Sequence, residues 1–202
     1  MNFQQLRLKS QDYPLFRYVD VLKWFPEDKE QTIKQNLKFW VKKNLLERII
    51  KGVYKLKETK IEDEFLLASY FNENSYISLE SALSYYGLIP EYPFAVTSVT
   101  TKKTQKIKTV YGNFLYRKIK PELFFGFKLV AGDNYLYRLA LPEKAIFDLV
   151  YLNQTEIKTP DYFKEMRLSL SDKTLLNKIL SLLKLLKNPN IISHFKSYVN
   201  NQ

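Results

Sequence analysis

Six side chains in one short stretch, Gln31, Thr32, Lys34, Gln35, Lys38 and Lys42, are of the types that read a nucleic-acid duplex. A glutamine amide pairs with adenine through two hydrogen bonds, a threonine hydroxyl suits several base edges, and a lysine ammonium reaches guanine O6 and N7 or a phosphate. Between them, Ile33, Leu37, Trp40 and Val41 recur at i, i+4, i+7 and i+8, the spacing of one apolar helix stripe. A helix over Lys29–Lys43 therefore turns its apolar side inward and its amides and ammoniums outward. Gln31, Thr32, Lys34 and Gln35 come early enough to meet base edges, and Lys38 and Lys42 come late enough to meet phosphates. Arg48, Lys51 and Lys55 follow in a predicted hairpin whose Lys51-Gly52 tip faces a backbone or a minor groove. The plain alternative is an amphipathic surface helix with a solvated polar side.

A second basic run comprises Lys102, Lys103, Lys106 and Lys108, then Arg117, Lys118 and Lys120, with no acidic residue from 102 to 120. It reads either as an extended footprint on DNA, as a face for an acidic partner, or as lysines that guard a sheet edge against aggregation.

Catalytic chemistry finds little material. Cysteine is absent, which excludes disulfides, cysteine-ligated zinc and thiol catalysis. The single histidine, His194, lies among Ile191, Ile192 and Phe195 and reads as structural. Glu58-Thr59-Lys60 has the Glu-x-Lys spacing of some metal-dependent nucleases, but no acidic residue on an upstream core strand accompanies it. There is no glycine-rich phosphate loop; the chain has five glycines. Glu143 suits the first turn of a helix, where an acid meets the positive end of the dipole. No enzyme, metal or cofactor is expected.

The chain has 202 residues, of which 46% are hydrophobic, enough for a packed core. Its net charge is +11, and residues 1–60 hold 14 basic against 7 acidic side chains. That excess favours a polyanionic partner. No run of about 18 uncharged apolar residues occurs, and the first residues lack the apolar core of a signal peptide. A cytoplasmic protein with no membrane contact is expected.

The elements that must position these groups follow from local signals. Phe3–Ser10 forms a short helix, Leu15–Tyr18 an alternating apolar piece, and Asp20 offers an N-cap for a helix over Val21–Phe25. Pro26-Glu27-Asp28 breaks the chain before the Lys29–Lys43 helix, which Asn44 ends. Leu45–Ile50 and Val53–Leu56 form the hairpin. Residues 58–73 read as a helix with an acidic start, Tyr76-Ile77 as a short extended piece, and Leu79–Tyr86 as a helix capped by Ser78 and stopped by Gly87. Strands follow at Phe94–Thr100, at Ile107–Tyr111 and Phe114–Ile119 around Gly112-Asn113, and at Phe127–Val130 and Tyr135–Leu139 around Gly132-Asp133-Asn134. Pro142 opens a helix over Glu143–Leu152, and further helices are expected near 160–169, 173–187 and 190–199. The expected architecture is α+β. A winged helix-turn-helix occupies 1–57, and 58–202 form an α+β domain with a mostly antiparallel sheet and C-terminal helices.

Several segments resemble one family. Residues 15–56, ending RIIKGVYKL, resemble the winged helix-turn-helix that opens AbiEi-type antitoxins. YISLESALSYYGLIPEYP, FAVTSVTTKK and LYRLALPEKAIFDLVYLN are similar to successive segments of that family, the last carrying its Pro-Glu-Lys…Asp pattern at Pro142, Glu143, Lys144 and Asp148. The resemblance implies an antitoxin and repressor of a toxin–antitoxin operon that binds inverted operator repeats upstream of its own genes. It further implies a partner toxin, a nucleotidyltransferase of the AbiEii type, and a role in abortive infection as an antiviral defence. It carries DNA contact to Thr32, Lys34, Gln35, Lys38 and Lys51, and it transfers no catalytic residue. The alternative is a protein-binding module whose winged-helix part is a scaffold that does not touch DNA.

Overall fold

The computed structural model of the chain describes residues 1–132 and 135–201. Two compact units emerge. One comprises Met1–Glu73 with Thr109–Tyr111 and Ala131–Leu136; the other comprises Asn74–Lys108, Gly112–Val130 and Tyr137–Gln202.

The first unit begins with α1 (Phe3–Ser10), β1 (Phe16–Arg17), α2 (Tyr18–Trp24) and α3 (Glu30–Lys42), then β2 (Leu46–Ile50), β3 (Val53–Leu56) and α4 (Glu64–Phe71). Strands β1, β3 and β2 form an antiparallel sheet in that order. Asn2 and Gln5 close a reciprocal cap on α1, each side chain accepting from the other's backbone N–H. Asp20 does not cap α2 from in front. It sits in the first turn and accepts from the Arg17 N–H at 2.8 Å, because the helix begins three residues earlier than its apolar pattern indicates. Asn44 adopts φ 58, the left-handed conformation that ends α3. The core gathers Leu6, Phe16, Val21, Ile33, Leu37, Trp40, Leu46 and Leu56. Burial of each large apolar side chain contributes about 1.5–3 kcal/mol. Phe3 meets the Trp40 ring edge-on at 5.5 Å.

The expected helix over 58–73 is shorter. Asp63 accepts from the Phe65 N–H at 2.7 Å and the Leu66 N–H at 3.4 Å, so the helix starts at Glu64. Arg17 holds its other end, donating to the Tyr70 and Ser69 carbonyls at 3.0 and 3.1 Å and pairing with Glu73 at 2.5 Å. A guanidinium at a helix C-terminus satisfies carbonyls that have no partner within the helix.

The second unit carries β4 (Ser75–Ile77), α5 (Leu79–Tyr85), β5 (Val96–Thr100), β6 (Gln105–Thr109), β7 (Gly112–Lys118), β8 (Phe127–Ala131) and β9 (Leu136–Ala140). Then come α6 (Pro142–Leu152), α7 (Asp161–Glu165), α8 (Lys173–Leu183) and α9 (Pro189–Asn200). The sheet order is β6-β7-β5-β4-β9-β8. Hairpin signals predict a mostly antiparallel sheet; the sheet is mixed, with β4 antiparallel to β5 and the pairs β5–β7 and β4–β9 parallel. Turn residues report only strands adjacent in sequence, and both parallel pairs join strands that are not. The turn between β6 and β7 lies at Val110-Tyr111, with Gly112 (φ 128) already in β7. Of the predicted turn Gly132-Asp133-Asn134, Asp133 and Asn134 lie outside the described residues. Pro142 occupies the first turn of α6 as expected. The architecture is α+β. Among the described residues no helix is long and apolar enough to cross a membrane.

Candidate nucleic-acid interface

Helix α3 has one covered side. Ile33, Leu37 and Trp40 are buried, at 0%, 1% and 6% exposure. At about 100° per residue, Gln31, Gln35, Lys38 and Lys42 fall within a sector of about 60° centred opposite that buried side. All four side chains are exposed, as are Thr32 and Lys34 on the two flanks. The stripe runs about 16 Å along the axis. Among the described residues, Gln31, Thr32, Gln35, Lys38 and Lys42 have no side-chain hydrogen bond or ion pair. Their donors and acceptors face water.

Lys34 differs from them. Its Nζ lies 2.7 Å from Glu30 Oε1, and the same oxygen accepts from the Tyr18 hydroxyl at 2.9 Å. The hydrogen bond to Lys34 holds the Glu30 carboxyl below its ordinary range, and the hydrogen bond to Glu30 raises the Lys34 ammonium. Lys34 is therefore a partly neutralised cation beside an acid at the start of the helix. Sequence reasoning missed Tyr18 and Glu30 here, although the Glu30–Lys34 spacing of four residues was itself a signal.

The hairpin after α3 exposes Arg48 on β2 and Lys51 at the turn. Gly52 has φ 82 and open space where a Cβ would stand, and its carbonyl accepts from the Tyr18 N–H at 2.8 Å. That bond ties the hairpin tip to the start of α2. Lys55, expected to add a phosphate contact, instead turns inward. It is buried at 5% exposure, its Nζ donates to Thr59 O at 2.7 Å, and it lies 3.5 Å from Glu47. It closes the unit's interior and does not face a ligand. In the Glu58-Thr59-Lys60 tripeptide, Glu58 pairs with Arg7 at 3.2 Å. Among the described residues no three His, Asp or Glu are grouped to hold a metal.

The second basic run divides. Lys102 and Lys103 lie in the loop before β6, Lys106 and Lys108 on β6 at the sheet edge, Lys118 at the end of β7 and Lys120 beyond it; all six are exposed. Arg117 is not among them. Its guanidinium donates to Asn153 Oδ1 at 2.5 Å and to Leu152 O at 2.8 Å, fastening β7 to the end of α6.

A buried polar cluster in the second unit was also missed. Lys144 and Asp148, four apart on α6, are both 0% exposed and joined by a hydrogen-bonded ion pair. Lys144 Nζ donates to the Tyr76 hydroxyl at 2.9 Å; the Tyr76 and Ser78 hydroxyls donate to Asp148 Oδ2 at 2.9 and 2.8 Å. Burial pushes the Lys144 ammonium down and the Asp148 carboxyl up, each opposed by its partner. Burial also raises the Tyr76 phenol far above its ordinary value. With no exposed member, the cluster joins α6 to β4. His194 is half-buried on α9.

The chain matches no protein-family model and no curated protein.

Proposed function

We propose that the first unit is a winged helix-turn-helix that binds duplex DNA, with α3 as its recognition helix and the β2–β3 hairpin as its wing. The observation that carries this reading is the exposed stripe of Gln31, Gln35, Lys38 and Lys42, without partners among the described residues and opposite the buried Ile33, Leu37 and Trp40. The order of helices and strands, and a sheet ordered β1-β3-β2, support it. In this reading the glutamines read bases, Lys38 and Lys42 hold phosphates along the groove wall, and Arg48 and Lys51 hold the backbone beside it. The resemblance to AbiEi-type antitoxins extends the proposal. The chain represses its own operon and counteracts a nucleotidyltransferase toxin encoded beside it.

The test is a mobility shift on the DNA upstream of the chain's own reading frame, over a salt series. With about three to five phosphates neutralised, the log–log slope is about −3 to −5. A slope near zero, or no shift at low salt, contradicts the DNA reading. For the second part, co-expression of the chain with the neighbouring gene's product relieves growth arrest. Arrest that persists contradicts the antitoxin reading.

A further inference from the structure

In the second unit lies a cavity of about 440 Å³, lined by the apolar Ile89, Leu115 and Met166 and by the acids Glu80, Glu91 and Glu165. No lysine or arginine lines it, in a chain of net charge +11. Glu91 pairs with Arg167 beside the cavity, whereas Glu80 and Glu165 have no ion pair among the described residues. Phe94, which also lines it, is 91% exposed, and its neighbour Tyr92 is 81% exposed. Exposed aromatics around an apolar pocket are the composition of an interface core rather than of an ordinary polar surface.

The same unit presents an exposed leucine between lysines. After α8, the 3-10 turn Lys184–Leu186 leaves Leu185 52% exposed. Lys184 and Lys187 flank it, and Lys187 (φ 53) turns the chain away. Lys184, Lys187 and Lys196 border one cleft, are exposed, and have no ion pair among the described residues. An exposed leucine flanked in the chain by two lysines thus offers the charge opposite to that of an apolar pocket lined by three acids. Leu185 is solvated, so it does not fill the pocket of its own chain.

We propose that the acid-lined pocket of one copy receives the Leu185 knob of a second copy, so that the second unit is a self-association module. The contact pairs two different patches. It therefore closes into a dimer if both contacts form about a two-fold axis, and otherwise propagates head to tail. Few charges and one apolar side chain make the association weak and salt-sensitive. This inference does not depend on DNA binding.

Sedimentation velocity of the full chain, from micromolar to submillimolar, tests it. The expected result is concentration-dependent association that weakens between about 50 and 200 mM salt. Reversing the pocket (Glu80→Lys with Glu165→Lys) or the knob (Lys184→Glu with Lys187→Glu) weakens self-association by at least about tenfold. Mixing the two reversed proteins restores a complex, because each then offers the other a complementary knob and pocket. Should a reversed protein lose its circular-dichroism spectrum, Leu185→Asp serves in its place and is expected to abolish association. A chain that stays monomeric throughout overturns the proposal, as it must if the pocket serves a different protein or a small molecule. Association indifferent to these substitutions, or reversed proteins that do not combine, also overturns it.

Discussion

Lys144→Met removes one half of the buried pair in the second unit. Methionine fills nearly the same volume, so the loss is chiefly electrostatic. Asp148 then keeps two hydroxyl donors, Tyr76 and Ser78, but loses the cation paired with it in a site with 0% exposure. Breaking one partner of a buried pair costs about 3–5 kcal/mol, whereas replacing both with apolar groups is often neutral or stabilising by about 1–4 kcal/mol. Against a typical total of about 5–15 kcal/mol, the single variant forfeits a large share of stability. The raised Asp148 carboxyl indicates how the variant adapts: without Lys144, the acid takes up a proton and remains buried in neutral form. The loss is therefore smaller at acid pH than at neutral pH. Urea unfolding followed by far-ultraviolet circular dichroism measures it. Trp24 and Trp40, the chain's two tryptophans, both lie in the first unit, so their fluorescence serves as an internal control. Lys144→Met is expected to shift the circular-dichroism transition while leaving the tryptophan transition in place. Lys144→Met with Asp148→Leu is expected to recover most of the loss. A single variant within about 1 kcal/mol of the parent, or a double variant no better than the single, refutes the ion-pair account.

Three further outcomes follow from particular contacts. Glu30→Gln releases Lys34 and removes an acid from the proposed reading helix, so DNA binding tightens at low salt and its log–log slope steepens by about one. That corresponds to a further loss of about three- to fourfold between 50 and 200 mM salt, read by mobility shift; an unchanged slope places Lys34 outside the interface. Burial and the hydrogen bond to Glu47 raise the Tyr111 phenol from 10.0 to about 12, and burial raises Tyr86 likewise to about 12. A raised folded value means that these groups stabilise the fold fully below pH 10.0 and lose that contribution as pH climbs through about 12. Titration of the phenolate absorbance band should therefore lag in the folded chain, and a normal titration contradicts the assignment. Gly126→Ala places a Cβ 2.9 Å from Lys144 Cγ at φ 73, and is expected to cost about 1–3 kcal/mol in the second unit by chemical denaturation.

What the sequence disclosed was local. The period of Ile33, Leu37 and Trp40 sufficed to orient α3, and Asn44 and Gly52 marked its stop and the next turn. Each of those signals lies within a few residues of the feature it specifies. Lys55 was misread because the acceptors that draw its ammonium inward, Thr59 O and Glu47, are reached by folding rather than by strand alternation. Arg117 was misread in the same way: its partners Asn153 and Leu152 lie about 35 residues away. Lys144 and Asp148 share a helix face by spacing alone, but their burial depends on Tyr76 and Ser78 from another element. The same limit hid the parallel strand pairs, since no hairpin turn announces a partner that returns after an intervening strand. The exposed polar stripe was legible because its side chains project from one continuous helix. The acid-lined pocket was not, because Glu80, Glu91 and Glu165 meet only in the folded chain.

The outward stripe of α3 carries the DNA-binding proposal. Its most direct test is equilibrium binding of the upstream DNA by the parent chain and by a variant combining Gln31→Ala, Gln35→Ala, Lys38→Ala and Lys42→Ala. Because all four side chains are exposed and have no partner among the described residues, the variant should keep the parent's circular-dichroism spectrum and unfolding midpoint. Specific binding should vanish, with a salt slope shallower by about two. A folded variant that binds the same DNA with the parent's affinity and slope would contradict the account.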